Sequence, residues 1–161
     1  MAFRMVVRQV SQESVKIELV FNSYDIVDVT NRSRSKDIST LVRNPGWTRG
    51  ECILAMDLFV RSGYEQLGKN KLGIIELSAH LQEMQLHEPS DRSEKFRNPN
   101  GVVMKLANFC ALDERCHGIG RPNGGAMDEI VWDEFKDNEQ GLREAAEAVR
   151  RQHHLPFLPP A

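Results

Sequence analysis

Residues 95–109 read Lys95-Phe96-Arg97-Asn98-Pro99-Asn100-Gly101-Val102-Val103-Met104-Lys105-Leu106-Ala107-Asn108-Phe109, and the rest of the chain is organised around them. Asn98 suits an N-cap and Pro99 the first helical position, so a helix is expected to start here and run through the apolar positions Val103, Leu106, Ala107 and Cys110. Its mouth offers two kinds of surface. Free N–H groups and the helix dipole attract an anion, and Lys95 and Arg97 stand just ahead of them. Pro99 has no N–H and presents a pyrrolidine ring, with the apolar side chain of Val102 one turn on. Phosphate is therefore the first ligand to consider, at a mouth that is half cationic and half apolar.

The 161 residues fit one domain, large enough to bury a core without staples. A net charge of −2 hides an uneven distribution. Between Thr30 and Gly50, Arg32, Arg34, Lys36, Arg43 and Arg49 stand against Asp37 alone. Between Ala126 and Arg150, eight carboxylates stand against Lys136, Arg143 and Arg150. A polyanion would meet the first two-thirds of the chain and leave the C-terminal helices facing away, although either run alone also fits a solvated helix face. Cys52, Cys110 and Cys116 are odd in number and form no CxxC pair, so reduced thiols in a cytosol are expected. Cys110, Cys116 and His117 lack a fourth zinc ligand at matching spacing, so neither a metal nor a cofactor is expected. No signal peptide is visible, and no apolar run approaches the roughly 20 residues of a membrane span. The reading is a cytoplasmic protein with no membrane partner.

Along the chain, Val15, Ile17, Leu19 and Phe21 alternate, and Ile26, Val27 and Val29 follow an Asn22-Ser23 turn, which predicts short strands and a β-hairpin. The polar, basic stretch Thr30 to Asn44 reads as a loop or arm. Thr48 and Glu51 have capping-box spacing and open a helix with Ile53, Leu54, Leu58 and Phe59 inside, closed by Ser62-Gly63. After a loop with Gly68 and Gly73, a second helix is expected from about Ile75 to Leu86. The central helix and a loop with Gly118, Gly120, Gly124 and Gly125 come next. Two further helices carry Ile130, Val131 and Phe135, then Leu142, Ala145, Ala146 and Val149. The fold class is mainly α: a compact helical domain of about five helices with an N-terminal β-hairpin. The expected boundaries are 1–46 for strands and basic arm, 47–152 for the helical domain and 153–161 for a Pro-rich tail or linker.

Taken in order, the Trp47-Thr48-Arg49-x-Glu51 helix start, Ile74-Ile75-Glu76-Leu77-Ser78-x-x-Leu81, the Phe96 to Phe109 block, the glycine loop and Val131-Trp132-x-Glu134-Phe135 resemble the N-terminal region of HNH restriction endonucleases. More narrowly, they resemble the sulfur-binding domain of phosphorothioate-dependent restriction endonucleases. The resemblance covers about Trp47 to Arg150, and the Phe96 to Phe109 block is its most specific part. It implies a bacterial defence protein gripping double-stranded DNA whose backbone carries sulfur in place of one non-bridging phosphate oxygen. The implied sulfur cavity is formed by Asn98, Pro99 and Val102; the family pattern has an aromatic and an alanine where Asn98 and Val102 stand. The expected DNA-facing side chains are Arg43, Thr48, Arg49, Ser90, Arg92, Lys95, Arg97, Asn100, His117, Arg121 and Asn123. Phosphorothioate keeps its charge, while sulfur is a larger, softer and poorer acceptor than oxygen. C–H surface at that one atom therefore accepts sulfur and leaves an oxygen without a partner.

No histidine base with metal-binding partners follows the glycine loop, so the chain reads as a recognition module, with any nuclease downstream or on another polypeptide. Three alternatives stand beside it. A metal-dependent HNH-like nuclease would use Asp113, Cys116 and His117; a methylated-base reader would need Trp47, Tyr64 and Trp132 around a flipped base; the plainest is a helical protein-interaction domain.

Overall fold

Every residue from Glu51 to Asp57 is buried, so the helix that carries them, α1 (Arg49–Arg61), is the axis of the fold rather than a surface helix. Its start is a complete capping box: Thr48 Oγ1 accepts from the Glu51 N–H, and Glu51 Oε2 accepts from the Thr48 N–H at 2.7 Å. Around it stand α2 (Leu72–Glu83), α3 (Pro99–Leu112), α4 (Ala126–Phe135) and α5 (Glu139–Gln152), with a 3-10 turn at Pro89–Asp91. α1 touches each of the other four helices. Phe59 stacks on Phe109 with ring centroids 6.4 Å apart, and Ile53, Leu54, Met56, Ile74, Leu81, Leu106, Val131 and Leu142 fill the interior. Each such side chain contributes about 1.5–3 kcal/mol on burial. The described region is thus mainly helical, with five α-helices.

The computed structural model describes residues 5–11, 14–19, 43–120 and 124–156, in two compact units, Met1–Ile38 and Ser39–Ala161. The first holds β1 (Met5–Ser11) and β2 (Ser14–Leu19), paired antiparallel with Val7 opposite Ile17 and an irregularity between Gln9 and Ser11. The expected Asn22-Ser23 turn, the strand at Ile26 to Val29 and most of the basic arm lie outside the described residues.

Several expectations shift. α2 begins at Leu72, three residues before Ile75, and takes Gly73 into its first turn; it ends before Gln85, whose φ of 49° leaves the helical region. In α3 the inward valine is Val102, fully buried, and Val103 is only half-buried. In α4 Ile130 is exposed, while Val131, Trp132 and Phe135 face inward. Contacts also cross both expected boundaries of the helical region. Asn44 Oδ1 accepts from the Ser93 N–H at 2.9 Å, which ties residue 44 to the helical unit, and Leu155 packs into the core beyond the end of α5.

The cysteines differ from expectation as well. Cys110, in the last turns of α3, and Cys116, after the turn at Asp113, form a disulfide across a Cα–Cα distance of 5.2 Å. Cys52 alone is free, and it is buried.

Candidate functional site

α1 carries two carboxylates into the interior, one towards each end, and each is met by arginine from another part of the chain. At the N-terminal end Glu51 accepts from Arg97 Nε at 2.6 Å and from Arg97 Nη2 at 2.9 Å. The same guanidinium donates to the carbonyls of Pro45 at 3.0 Å and Gly46 at 2.7 Å, and it lies 4.6 Å from the ring centroids of both Trp47 and Phe96. Arg97 is therefore buried and committed to the protein, not presented to a ligand. Its backbone is in the left-handed region, φ 44°, a conformation unusual for a residue with a side chain. Ser78 Oγ fixes that peptide by donating to the Arg97 carbonyl at 2.8 Å. Strain held in place by several contacts marks a segment whose geometry matters.

The next residue begins the mouth of α3. Asn98 Oδ1 accepts from the Gly101 N–H at 2.9 Å and the Asn98 carbonyl from the Val102 N–H at 3.1 Å. Pro99 has no N–H, so the Asn100 amide is the first-turn donor left to the mouth. Asn98 and Pro99 are half-buried and Asn100 is exposed, whereas Val102 is fully buried in the core and presents no wall to the outside. Among the five helices α3 alone carries no Asp or Glu, and its single charge, Lys105, is turned inward. Its exposed stripe is Asn100, Met104 and Ala111.

Lys105 completes the support beneath. Its ammonium pairs with buried Asp128 and lies 4.8 Å from the Trp47 ring centroid. Asp128 also accepts from Asn108 Nδ2 at 2.8 Å and from the Gly125 N–H at 3.0 Å, which fixes the end of the glycine loop and the start of α4. Cys52 Sγ lies 3.4 Å from Asp128 Oδ1, and its thiol is pushed up to about 12, chiefly by burial.

The other expected contact residues differ in their surroundings. Arg43, Lys95 and Asn100 are exposed. The Asn44 to Ser93 hydrogen bond brings Arg43 beside the loop that holds Arg92 and Lys95, so these cations share one flank, with Asp91 and Glu94 among them. Thr48, Arg49 and Arg92 have intramolecular partners. Thr48 is the cap of α1; Arg49 Nη2 pairs with Glu134 at 2.6 Å; Arg92 donates to the carbonyls of His87 and Gln82, with its guanidinium 4.9 Å from the Phe96 ring centroid. Ser90, exposed in the 3-10 turn, donates weakly to Asp91 at 3.5 Å. His117 is exposed beyond the far end of α3, roughly 20 Å from the mouth at 1.5 Å per residue. Arg121 and Asn123 lie outside the described residues; the loop on either side of them, at Gly120 and Gly124, rests against Ala111 and Asn108 of α3.

The residues of the alternative readings are not assembled. Asp113 binds Arg115 through both oxygens, at 2.9 Å and 3.1 Å from Nε, and Cys116 is in the disulfide, which removes both from a metal set with His117. Trp132 is a core residue, Trp47 covers Arg97 and Lys105, and Tyr64 packs edge-on to Phe59 at 5.7 Å, so the three rings do not enclose a common space. Among the described residues no group of three or more His, Cys, Asp or Glu side chains could hold a metal, and no helix is long and apolar enough to cross a membrane.

Sequence reasoning missed Glu51 and Lys105 as the supports of the mouth. The available signal was a carboxylate opening the apolar run Cys52-Ile53-Leu54-Ala55-Met56 and an ammonium in the apolar face of α3. Comparison of the chain with protein families, curated proteins and solved structures finds no match.

Proposed function

We propose that this chain is a DNA-recognition module that reads a phosphorothioate in the backbone of double-stranded DNA, within a restriction or defence system. The observation that carries the reading is the mouth of α3. A half-buried proline ring and the Asn100 amide sit together at a helix start held by the strained, buried Arg97, with Lys95 and Arg43 on the flank. The helix dipole and the flanking cations attract the charged diester. The proline ring offers C–H surface to one non-bridging atom, where sulfur loses little and oxygen forfeits a hydrogen bond. Val102, one turn on and inside the core, fixes the helix beneath the ring instead of touching the ligand. The carboxylate-free face of α3 lets the duplex lie along the helix. The role is binding; cutting belongs to a nuclease domain downstream or on a separate polypeptide.

The test is a gel-shift comparison of identical duplexes with and without one backbone sulfur. The sulfur-bearing duplex should bind more tightly at every salt concentration, and equal affinities would overturn the assignment. In parallel, phosphorothioated plasmid incubated with magnesium, manganese or zinc should stay intact.

A further inference from the structure

Ile119 is 99 % exposed, the most open of the large apolar side chains among the described residues. A surface isoleucine is ordinary by itself; what distinguishes this one is the backbone on either side of it. Cys116, three residues earlier, is tied to Cys110 of α3 by the disulfide. At Gly118 a Cβ would meet Cys110 Sγ at 2.8 Å and Gln66 Oε1 at 2.6 Å, and at Gly120, where φ is 60°, one would meet Ala111 Cα at 2.9 Å. Both glycines thus seat bare backbone on the C-terminal end of α3, and the one side chain between them stands in water. That side chain is β-branched and stiff at χ1. The tripeptide therefore holds an apolar tip in a set position beside Ala111, where the uncharged stripe of Asn100, Met104 and Ala111 ends.

We propose that Ile119 is a specificity-determining residue that packs on the C5 methyl group of a thymine in the major groove, on the duplex whose backbone sulfur sits at Pro99; the inference rests on the DNA reading above. An aliphatic tip has no donor for a phosphate and none for a polar base edge. Of the four ordinary bases thymine alone presents a methyl in the major groove, and apolar contact is how it is recognised. Asn100 and Ala111 are 11 positions apart on α3. At 1.5 Å per residue that is about 16 Å, or about five base pairs at 3.4 Å, so with the duplex along α3 the thymine lies about four to six base pairs from the sulfur.

The full 161-residue chain is titrated, by fluorescence anisotropy, with sulfur-bearing duplexes in which a thymine is placed in turn at every position within about eight base pairs of the sulfur. Each is compared with its deoxyuridine counterpart, which lacks the methyl and keeps the pairing. At one position about four to six base pairs from the sulfur, uracil should weaken binding about four-fold, the effect of one buried methyl. Ile119→Ala should abolish that thymine-to-uracil ratio, keep the preference for sulfur over oxygen and leave the melting temperature unchanged, because the side chain supports nothing in the fold. Ile119→Val should keep part of the ratio. No position at which the methyl counts, or a ratio that persists in Ile119→Ala, would overturn the proposal and leave the sulfur reading standing. Equal affinity for sulfur-bearing and ordinary duplexes, with the ratio intact, would overturn the sulfur reading and leave the thymine contact standing; no binding to any duplex would overturn both.

Discussion

Arg97 Nε lies 2.6 Å from Glu51 Oε1, with both side chains buried and 46 residues of chain between them. The pair locks the start of α1 to the residue that precedes the α3 cap, so the position of Pro99 is set by contacts made far from it in sequence. Neither charge has access to bulk water once its partner is gone. Glu51→Gln or Arg97→Met should each lower stability by about 3–5 kcal/mol, the usual cost of an uncompensated buried charge. Arg49→Ala, which breaks a half-exposed pair with Glu134, should cost at most about 1 kcal/mol. Urea unfolding of the three variants measures the contrast, and equal losses would contradict the burial argument.

Two groups predict a loss of stability in base. The Cys52 thiol is pushed up to about 12 from an ordinary 9.0, first by burial, and the Tyr64 hydroxyl up to about 12 from an ordinary 10.0, by burial and then by its hydrogen bond to Glu139. Both folded values lie above the unfolded ones. Their contribution is therefore fully present below about pH 9 and falls as pH rises towards 12, because the unfolded chain releases its protons first. Unfolding free energy measured across that window should decline. Cys52 should also resist a thiol reagent at pH 8 until the chain is unfolded.

The Cys110–Cys116 disulfide closes a short ring, with a sequence separation of 6. Loop-closure entropy assigns such a ring about 2 kcal/mol. Reduction should lower the midpoint of urea unfolding accordingly, and a Cys110→Ser, Cys116→Ser double variant should be indifferent to the reductant. Gly118 adds a constraint: a side chain there would meet Cys110 Sγ at 2.8 Å and Gln66 Oε1 at 2.6 Å, so Gly118→Val should reproduce part of the loss.

What could be read directly from the residues was local. Thr48 and Glu51 specify the start of α1, and Asn98-Pro99 the start of α3, because a cap and its first turn are chemical statements made within four residues. Register was harder. Val102 and Val103 are adjacent and alike, and only the positions of α1 and α2 decide which turns inward. Gly73 looked like a loop residue because glycine is a poor helix former, yet it lies within α2, where a Cβ would come within 2.9 Å of Leu58 Cδ1. The buried pairs were not legible by pattern, since Glu51 meets Arg97 and Asp57 meets Arg150 only after the helices pack. For the same reason Arg97, read from its neighbours as a surface cation at the mouth, turned out to be the strut behind it.

Exposed cations on the flank should govern the salt dependence of DNA binding. Lys95→Ala and Arg43→Ala should each reduce the slope of log affinity against log salt by about 0.9 if each contacts one phosphate. Arg92, tied to the His87 and Gln82 carbonyls, should contribute less to the slope and more to stability. Arg121→Ala, between the two glycine pairs, should relax sequence preference with little change in slope. A salt-independent affinity would remove DNA as the ligand altogether.

The sulfur preference itself should separate Pro99 from Val102, although both belong to the first turns of α3. Val102 is fully buried, so Val102→Ala removes core contacts and should cost about 2 kcal/mol of stability, leaving the ratio of affinities for modified and ordinary DNA unchanged. Pro99 is half-buried, and its ring, lacking an N–H, can favour sulfur only by contact. Pro99→Ala should forfeit about 1–2 kcal/mol of that contact, a loss near ten-fold for the sulfur-bearing duplex, with ordinary DNA and the salt slope little altered. If proline serves only to start the helix, the melting temperature falls and both duplexes weaken together. Measuring two affinities and a melting temperature for each variant distinguishes the cases, and a Pro99→Ala chain that keeps its full preference for sulfur would end the assignment of the pocket to this ring.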